Sequence, residues 1–476
     1  MQKSATGTYV TNKLNWPKSE ADVIDGCGRN TVAHRAYVFW KTIFRDGAVG
    51  IIAYPETSGG TPVSASTTIP FTGTATKQGV MVLGIAEIDV SIFIDTGDDA
   101  ATVAANARTA AAGAGAPVTI SGTSTNLIIS FIHPGTCGGT ASYKPIKLTL
   151  KQPGNGIVAT LPGDLGATTP GAEGTTTEAA NFQAALDANS SVRMYNIVSH
   201  LGGNAAALTS GCAYLLNQAM PRSGRRETLI VGYNGTVSAG TTLAVARNFV
   251  RQSFVNGAGF RNSPEQVAVQ MAALFSKYEK TDPTYNFNRY SGADFILTPV
   301  EDSTQWLDDD ARNEAILGGQ IVFGVNEVSR GFVNKATVTR VRDDSGQYAD
   351  FRAYERHRVS GTDDTADLIV SAVGTFLQGK KLVDDPLMPD KKTINWNKIA
   401  LFERGVTCAA MVRPTVLSIL EERARVGQAQ RFDEMSESLR VKRSTENRGR
   451  VTIEFKYYTC DHADQGAIYM AESTPG

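Results

Sequence analysis

The side chains best able to do chemistry in this chain are five histidines (His34, His133, His200, His357 and His462) and five cysteines (Cys27, Cys137, Cys212, Cys408 and Cys460). Their spacing does not concentrate that capacity. There is no CxxC pair, no HExxH helix and no histidine–cysteine cluster, so no metal ligand set is expected. His357, within "YERHRV", reads as a strand-surface residue. No G-x-S-x-G elbow supplies an activated serine. The nearest approach to a nucleotide motif is "GTFLQGKK", Gly374 to Lys381. It has the phosphate-loop spacing, but Lys381 replaces the Ser/Thr whose hydroxyl holds Mg²⁺, and a helical pattern precedes the loop instead of following it. A helix ending in glycine with basic residues at its dipole accounts for it better. "DTGDDA" and "RDDSGQYAD" group acids without the spaced oxygen ligands of a calcium loop, which leaves turn and N-cap duty. No constellation points to catalysis, and no cofactor is expected.

Composition narrows the classes further. The 476 residues carry 46 Lys plus Arg against 47 Asp plus Glu, a net charge of −1. A protein built to neutralise phosphates has a clear basic excess, so no direct nucleic-acid contact is expected. Near-zero charge also removes the repulsion that keeps copies apart, which favours self-association. The start, "MQKSATGTYVTNKLNWPKSE", lacks the apolar run of a signal peptide, and no stretch approaches the roughly 18–20 apolar residues of a membrane helix. A soluble protein made in the cytoplasm, without membrane insertion, is the expectation. The odd cysteine number leaves at least one thiol free or paired with another chain.

The elements follow from periodicity. Residues 1–28 are polar and read as an extended arm. In "GVMVLGIAEIDVSIFID", Ile88, Val90, Ile92 and Ile94 share one face while Asp89, Ser91 and Asp95 share the other, the period of a half-buried strand. An Ala-rich helix and the strands "PVTISG", "NLIISFIHP" and "YKPIKLTLK" complete a β-rich module. "LPGDLGATTPGAEGTTTE", residues 161–178, reads as a linker dense in Gly, Pro and Thr. Strands and helices then alternate. "MYNIVSHL", "ETLIVGYNG", "IVFGV" and "KATVTRV" are expected strands, and "TLAVARNFVRQSFV" and "SPEQVAVQMAALFSKYEK" are expected helices. In the last of these Ser263, Pro264 and Gln266 fit an N-cap, an N1 proline and a capping-box partner. Such alternation implies an α/β layer with a largely parallel sheet. Near the end, "SLRVKRS" and "RVTIEFKYY" form a hairpin across "TENRG", and "AIYMAE" reads as one more strand, whose unpaired edge asks for a partner.

Several of these segments, taken in order, resemble the tail sheath proteins of contractile phages, specifically the Mu-like branch. "GVMVLGIAEIDVSIFIDTGDDAATVAANARTAAAGAGAPVTISG" is similar to the strand–strand–helix–strand module of their first half. "RRETLIVGYNG" and "PEQVAVQMAALFSKYEKTDPTYNFNRYSGADFILTP" resemble their central domain. "NKATVTRVRDDSGQYADFRAYERHRV" and "ESLRVKRSTENRGRVTIEFKYYTCDHADQGAIYMAE" resemble the segments that follow. Order and coverage carry the likeness, not one sharp motif, and the first 28 residues have little counterpart.

The resemblance implies an α/β (α+β multidomain) protein: an arm at 1–28, a β-rich peripheral domain at 29–160, a linker at 161–178, a central α/β domain at 179–345, a carboxy-terminal core domain at 346–462 and a second arm at 463–476. It implies a homo-oligomer of stacked six-fold rings around a tail tube, with baseplate and tail terminator proteins as further partners, in the virion tail after assembly in the host cytoplasm. Contraction would drive the tube through the host envelope. Arms would add strands to neighbouring subunits, with Tyr9 and Val10 at one end and Ala467, Ile468, Tyr469 and Met470 at the other. "DGCGR" and "DHADQG" would be their hinges. A self-contained sheet with a frayed amino terminus is the competing expectation. The helix after Pro414, with Glu421, Glu422, Arg423 and Arg425, and Arg431 beyond it, is the candidate tube-facing surface; a solvated helix end explains it equally. Cys27 and Cys460 lie at the arm bases and are candidates for inter-subunit disulfides, against buried thiols as the default. A β-rich adhesin or carbohydrate-binding virion protein, and an α/β enzyme, are the other functional classes.

Overall fold

The alternation of Ile88, Val90, Ile92 and Ile94 places four side chains on one face of a strand, and the fold uses that face as core. In the computed structural model, which describes residues 1–220, 223–343, 345, 355–388, 392–402 and 405–460, Ile88–Ile94 pairs with Gly79–Ile85, and Leu148–Lys151 completes a three-stranded antiparallel sheet. A second antiparallel sheet has the order Val118–Ser121, Asn126–Phe131, Ser66–Thr72, Val158–Ala159. Helix Ala100–Ala112, capped by Asp99, lies on both sheets through Ala100, Val103, Ala104, Ala107 and Ala111. Those small side chains at i, i+3, i+4, i+7 and i+11 let the helix approach closely.

The alternating second half forms the expected parallel layer. Asn196–Ser199, Thr228–Tyr233, Gln252–Asn256 and Gln320–Val325 run parallel in that order, and Gly331–Val333 closes the edge antiparallel. Helix Pro264–Tyr278 has the anticipated capping box and proline at its start, and every side chain from Pro264 to Phe275 is buried. One side of it meets this sheet and another meets helix Val32–Ile43. At Gly232 an added Cβ would run into the Pro264 carbonyl oxygen, a backbone atom that cannot step aside. Gly232→Ala is therefore expected to cost about 1–3 kcal/mol through overpacking, read as a lower melting temperature.

The chain divides into two compact units, Met1–Lys280 with Phe287–Arg356, and Thr281–Asn286 with His357–Gly476. The β-rich module and the parallel layer share one hydrophobic core running from Val32 to Phe254, so the expected border at residues 161–178 does not separate two bodies. That stretch is strapped to the β module: Thr169 and Ser66 exchange backbone hydrogen bonds, the Ala172 carbonyl accepts from Val63, and Leu165 is fully buried. Its glycines serve close approach instead of flexibility; a Cβ at Gly171 would strike the Gly135 carbonyl.

Three further expectations are corrected. "TLAVARNFVRQSFV" is not one helix: Val237–Val245 is helical and Gln252–Asn256 is a central strand. Neighbours on both edges and cover on both faces bury all five strand residues, so the strand lacks alternation. Its polar members are satisfied internally, Asn256 Nδ2 donating to Gln320 Oε1 at 2.9 Å and Ser253 Oγ to the Thr337 carbonyl at 3.0 Å. "KATVTRV" forms no strand ladder; it contributes one bridge, Thr337 to Glu355. His357 is not on a strand surface but is buried in the first turn of helix Arg356–Leu377.

Residues 1–28 are not an extended arm in this chain. Ser19 caps helix Glu20–Cys27 through a capping box with Asp22. Leu14–Asn15 pairs antiparallel with Ile51–Ile52, Gln2 bridges to Tyr54, and the Gln2 side chain is fully buried. Thr8 and Tyr9 donate their N–H groups to the Asp25 and Gly26 carbonyls, both at 3.0 Å.

Candidate functional site

In the second unit, helix Arg356–Leu377, helix Ala409–Arg425 and the short helix Phe432–Ser438 enclose Ile369, Val373, Val412, Val416, Leu420 and Met435. Against this core lies the anticipated hairpin, Arg440–Arg443 with Val451–Glu454, in the register Arg440 to Glu454 and Arg443 to Val451. Val441, Val451 and Ile453 are half-buried on the core, while Arg440, Lys442 and Glu454 are exposed. The Ser444 N–H donates to the Arg450 carbonyl at 2.8 Å, which makes 442/452 and 440/454 the hydrogen-bonded pairs by alternation. The backbone groups of Val441, Arg443, Val451 and Ile453 therefore face the two outer edges. Among the described residues no further strand joins either edge.

A second sheet of the same unit, Lys381–Val383 with Val406–Cys408, is a parallel pair to which no further strand is joined among the described residues. Two-stranded sheets are marginal in water, and parallel ones are normally covered and wider. The hairpin is also strongly basic for a near-neutral chain: residues 440–456 hold six basic and two acidic side chains. Lys442 pairs with Glu454 and Arg443 with Asp384. Arg440, Arg448, Arg450 and Lys456 are exposed and pair with no carboxylate among the described residues. An open strand edge flanked by unpaired cations can take up an extended acidic segment.

The residues singled out in the sequence fall in different places. Pro414 lies inside helix Ala409–Arg425 instead of before it, because the helix starts directly off the strand ending at Cys408. Glu421, Glu422 and Arg425 are exposed, with Glu422 and Arg425 paired at 2.6 Å. Arg423 is committed internally to Asp364 and Gln428. Arg431 begins the following helix in a left-handed conformation, pairs with Glu434 at 3.5 Å and stacks over Tyr458. The tube-facing candidates thus reduce to an exposed set and one internal strut. Val10 is exposed, whereas the Tyr9 ring packs on Gly26, where a Cβ would collide with it. Gly26 of the proposed "DGCGR" hinge is thereby a packing contact. Ala467, Ile468, Tyr469, Met470 and the "DHADQG" hinge lie outside the described residues.

Cys27 does not present a thiol at an arm base. It is fully buried with Val23, Ala33 and Tyr37, and burial pushes its thiol up to about 11. An inter-subunit disulfide there would need the core around it to open. Cys460 is half-buried, and its carbonyl lies 3.2 Å from His357 Nε2. In "GTFLQGKK" the helix ends at Leu377, Gly379 takes φ +72°, and Lys381 starts a strand. The loop therefore ends a helix and leads into a strand, as the glycine-cap reading expects.

One cluster that spacing did not disclose brings a cysteine, a histidine and a carboxylate together. Thr136, Cys137, Thr140, Tyr143, Glu178 and His200 line a cavity of about 20 Å³, far below the roughly 300–1,000 Å³ of ordinary ligand pockets. Burial drives the Cys137 thiol well above its ordinary value and the His200 ring well below its own. A protonated thiol beside a neutral imidazole is no activated nucleophile. The ring does predict acid lability. Met1, His133, Cys137, Tyr143 and Glu178 are the titratable groups around it. With the folded pKa lowered, the unfolded chain binds the extra proton, so stability is full above about 6.5 and falls as pH drops below it. Melting temperatures from about pH 7.5 down to about 5.5 are expected to fall more for the native chain than for His200→Phe.

No known protein-family model matches this sequence, and no curated protein matches it. Among solved structures, a sheath tail protein of Desulfitobacterium hafniense is similar at 11% identity and a TM-score of 0.49, over 97% of this chain and 92% of its own. A chain of the anti-feeding prophage baseplate is similar at 10% identity and a TM-score of 0.42, over 64% of this chain and 76% of its own. A chain of the anti-feeding prophage helical sheath in the contracted state is similar at 10% identity and a TM-score of 0.41, over 67% and 79%.

Proposed function

We propose that this chain is a structural subunit of a contractile tail sheath, polymerising as stacked six-fold rings around a tail tube in a virion tail. The observation that carries the reading is the pair of two-stranded sheets in the second unit, whose edges stay open among the described residues while apolar side chains of each are packed. Strands borrowed from adjacent copies would complete them, with backbone hydrogen bonds supplying affinity. The sequence likeness to Mu-like sheaths supports the same reading. Docking of residues 1–28 on their own unit favours the carboxy-terminal segment, residues 463–476, as the exchanged strand in this chain, with Ala467 to Met470 at its centre.

Work in such a subunit comes from two packings of one chain and needs no active site. Glu421, Glu422 and Arg425 are the exposed charges proposed to meet the tube reversibly, and baseplate and terminator proteins would set the ends of the polymer, assembled in the host cytoplasm. The test is negative-stain microscopy of the purified chain. Long hollow cylinders that shorten or dissociate with rising salt are expected, since exposed charges are screened. Discrete monomers at all salt concentrations would refute the reading.

A further inference from the structure

We propose that the cavity lined by Thr136, Tyr143, Glu178 and His200 binds a single water molecule that bridges one imidazole nitrogen of His200 to the carboxylate of Glu178. His200 follows strand Asn196–Ser199, Glu178 opens helix Glu178–Ala188, and Thr136, Cys137, Thr140 and Tyr143 come from the loop after strand Asn126–Phe131. Three separate stretches of the first unit therefore converge on one small polar space. His200 is only 3% exposed, yet neither ring nitrogen has a hydrogen-bond partner among the protein groups. A neutral imidazole needs one acceptor and one donor.

Glu178 is fully buried. Its Oε1 accepts from the Cys137 N–H at 3.0 Å and from Gln2 Nε2 at 3.5 Å, and its Oε2 from Thr136 Oγ1 at 2.6 Å. A carboxylate offers about four acceptor sites, of which these donors occupy three, and the Glu173 carboxyl, pushed up by burial and by Glu178, lies against it as well. The volume of about 20 Å³ exceeds the roughly 10–15 Å³ that admits one water. Water matches this lining because it can donate to Glu178 while exchanging a hydrogen bond with the ring. A monovalent cation would satisfy the carboxylate but leave the ring without a donor. Because Glu178 also holds Gln2, and Gln2 Oε1 accepts from Cys137 Sγ at 3.2 Å, the water would support the seat of the amino-terminal segment.

The test is a map of the full chain at a resolution that shows ordered water, from material held in rubidium chloride. The expected result is one peak without anomalous signal, within hydrogen-bond distance of a His200 ring nitrogen and a Glu178 oxygen. It should be lost in the His200→Phe variant, with faster proteolysis of residues 1–15. An empty cavity, an anomalous rubidium peak, or a peak that persists unchanged in His200→Phe would each overturn the proposal. Each outcome is independent of whether the chain polymerises.

Discussion

A chain truncated after residue 460 is expected to stay folded and to form no cylinders. The deleted residues include Asp461, Asp464 and Glu472 and no lysine or arginine, so the segment is acidic where the hairpin edge is basic. The hairpin keeps its inner packing on Leu420 and Met435 without it. On the proposed reading, the truncation removes the partner for the outward backbone groups of Val441, Arg443, Val451 and Ile453. Sedimentation is expected to show monomer where the full chain pellets as polymer, and circular dichroism should be unchanged. Adding a peptide of residues 461–476 should bind the truncated chain, more weakly at high salt. Cylinders formed by the truncated chain would place the subunit contacts elsewhere.

Arg35→Met is expected to be the most destabilising single change in the first unit. Arg35 Nε donates to Glu265 Oε1 at 3.1 Å and its Nη2 to Glu87 at 2.8 Å, with Arg35 and Glu265 almost completely enclosed. Glu87 also accepts from Gln266 Nε2 at 2.8 Å. One guanidinium thus joins helix Val32–Ile43, the turn after Gly79–Ile85 and the start of helix Pro264–Tyr278. Methionine fills much of the volume but strands two carboxylates, one of them buried, at a cost of about 3–5 kcal/mol. Calorimetry should show a lowered transition for Arg35→Met and partial recovery in Arg35→Met with Glu265→Gln. An unchanged transition would mean that solvent reaches the network.

Local rules made part of this fold readable and distance hid the rest. The Ile88 to Ile94 strand, the Ser263–Pro264–Gln266 helix start and the hairpin across "TENRG" each depend on neighbours within a few residues, and each appears where the pattern placed it. Gln252–Asn256 was hidden because a strand covered on both faces has no period to show, and "RQSFV" continues a helical-looking run. The glycines of residues 161–178 carry the same signature whether they grant freedom or permit contact, and only the facing backbone at Gly135 distinguishes the two. The buried Gln2 meets Glu178, 176 residues away, and Arg35 meets Glu265, 230 residues away. No spacing rule links such partners. At the candidate interface the strands and their basic residues were legible. That each sheet has two strands among the described residues was not, because strand count belongs to the tertiary arrangement.

The most direct measurement is a map of the assembled polymer in which the chain can be traced past Cys460. The account predicts that Ala467, Ile468, Tyr469 and Met470 of one copy lie along the outer edge of the Arg440–Glu454 hairpin of another, adding a third strand. Finding those four residues paired only with their own chain, while the hairpin edges face solvent in the polymer, would contradict it.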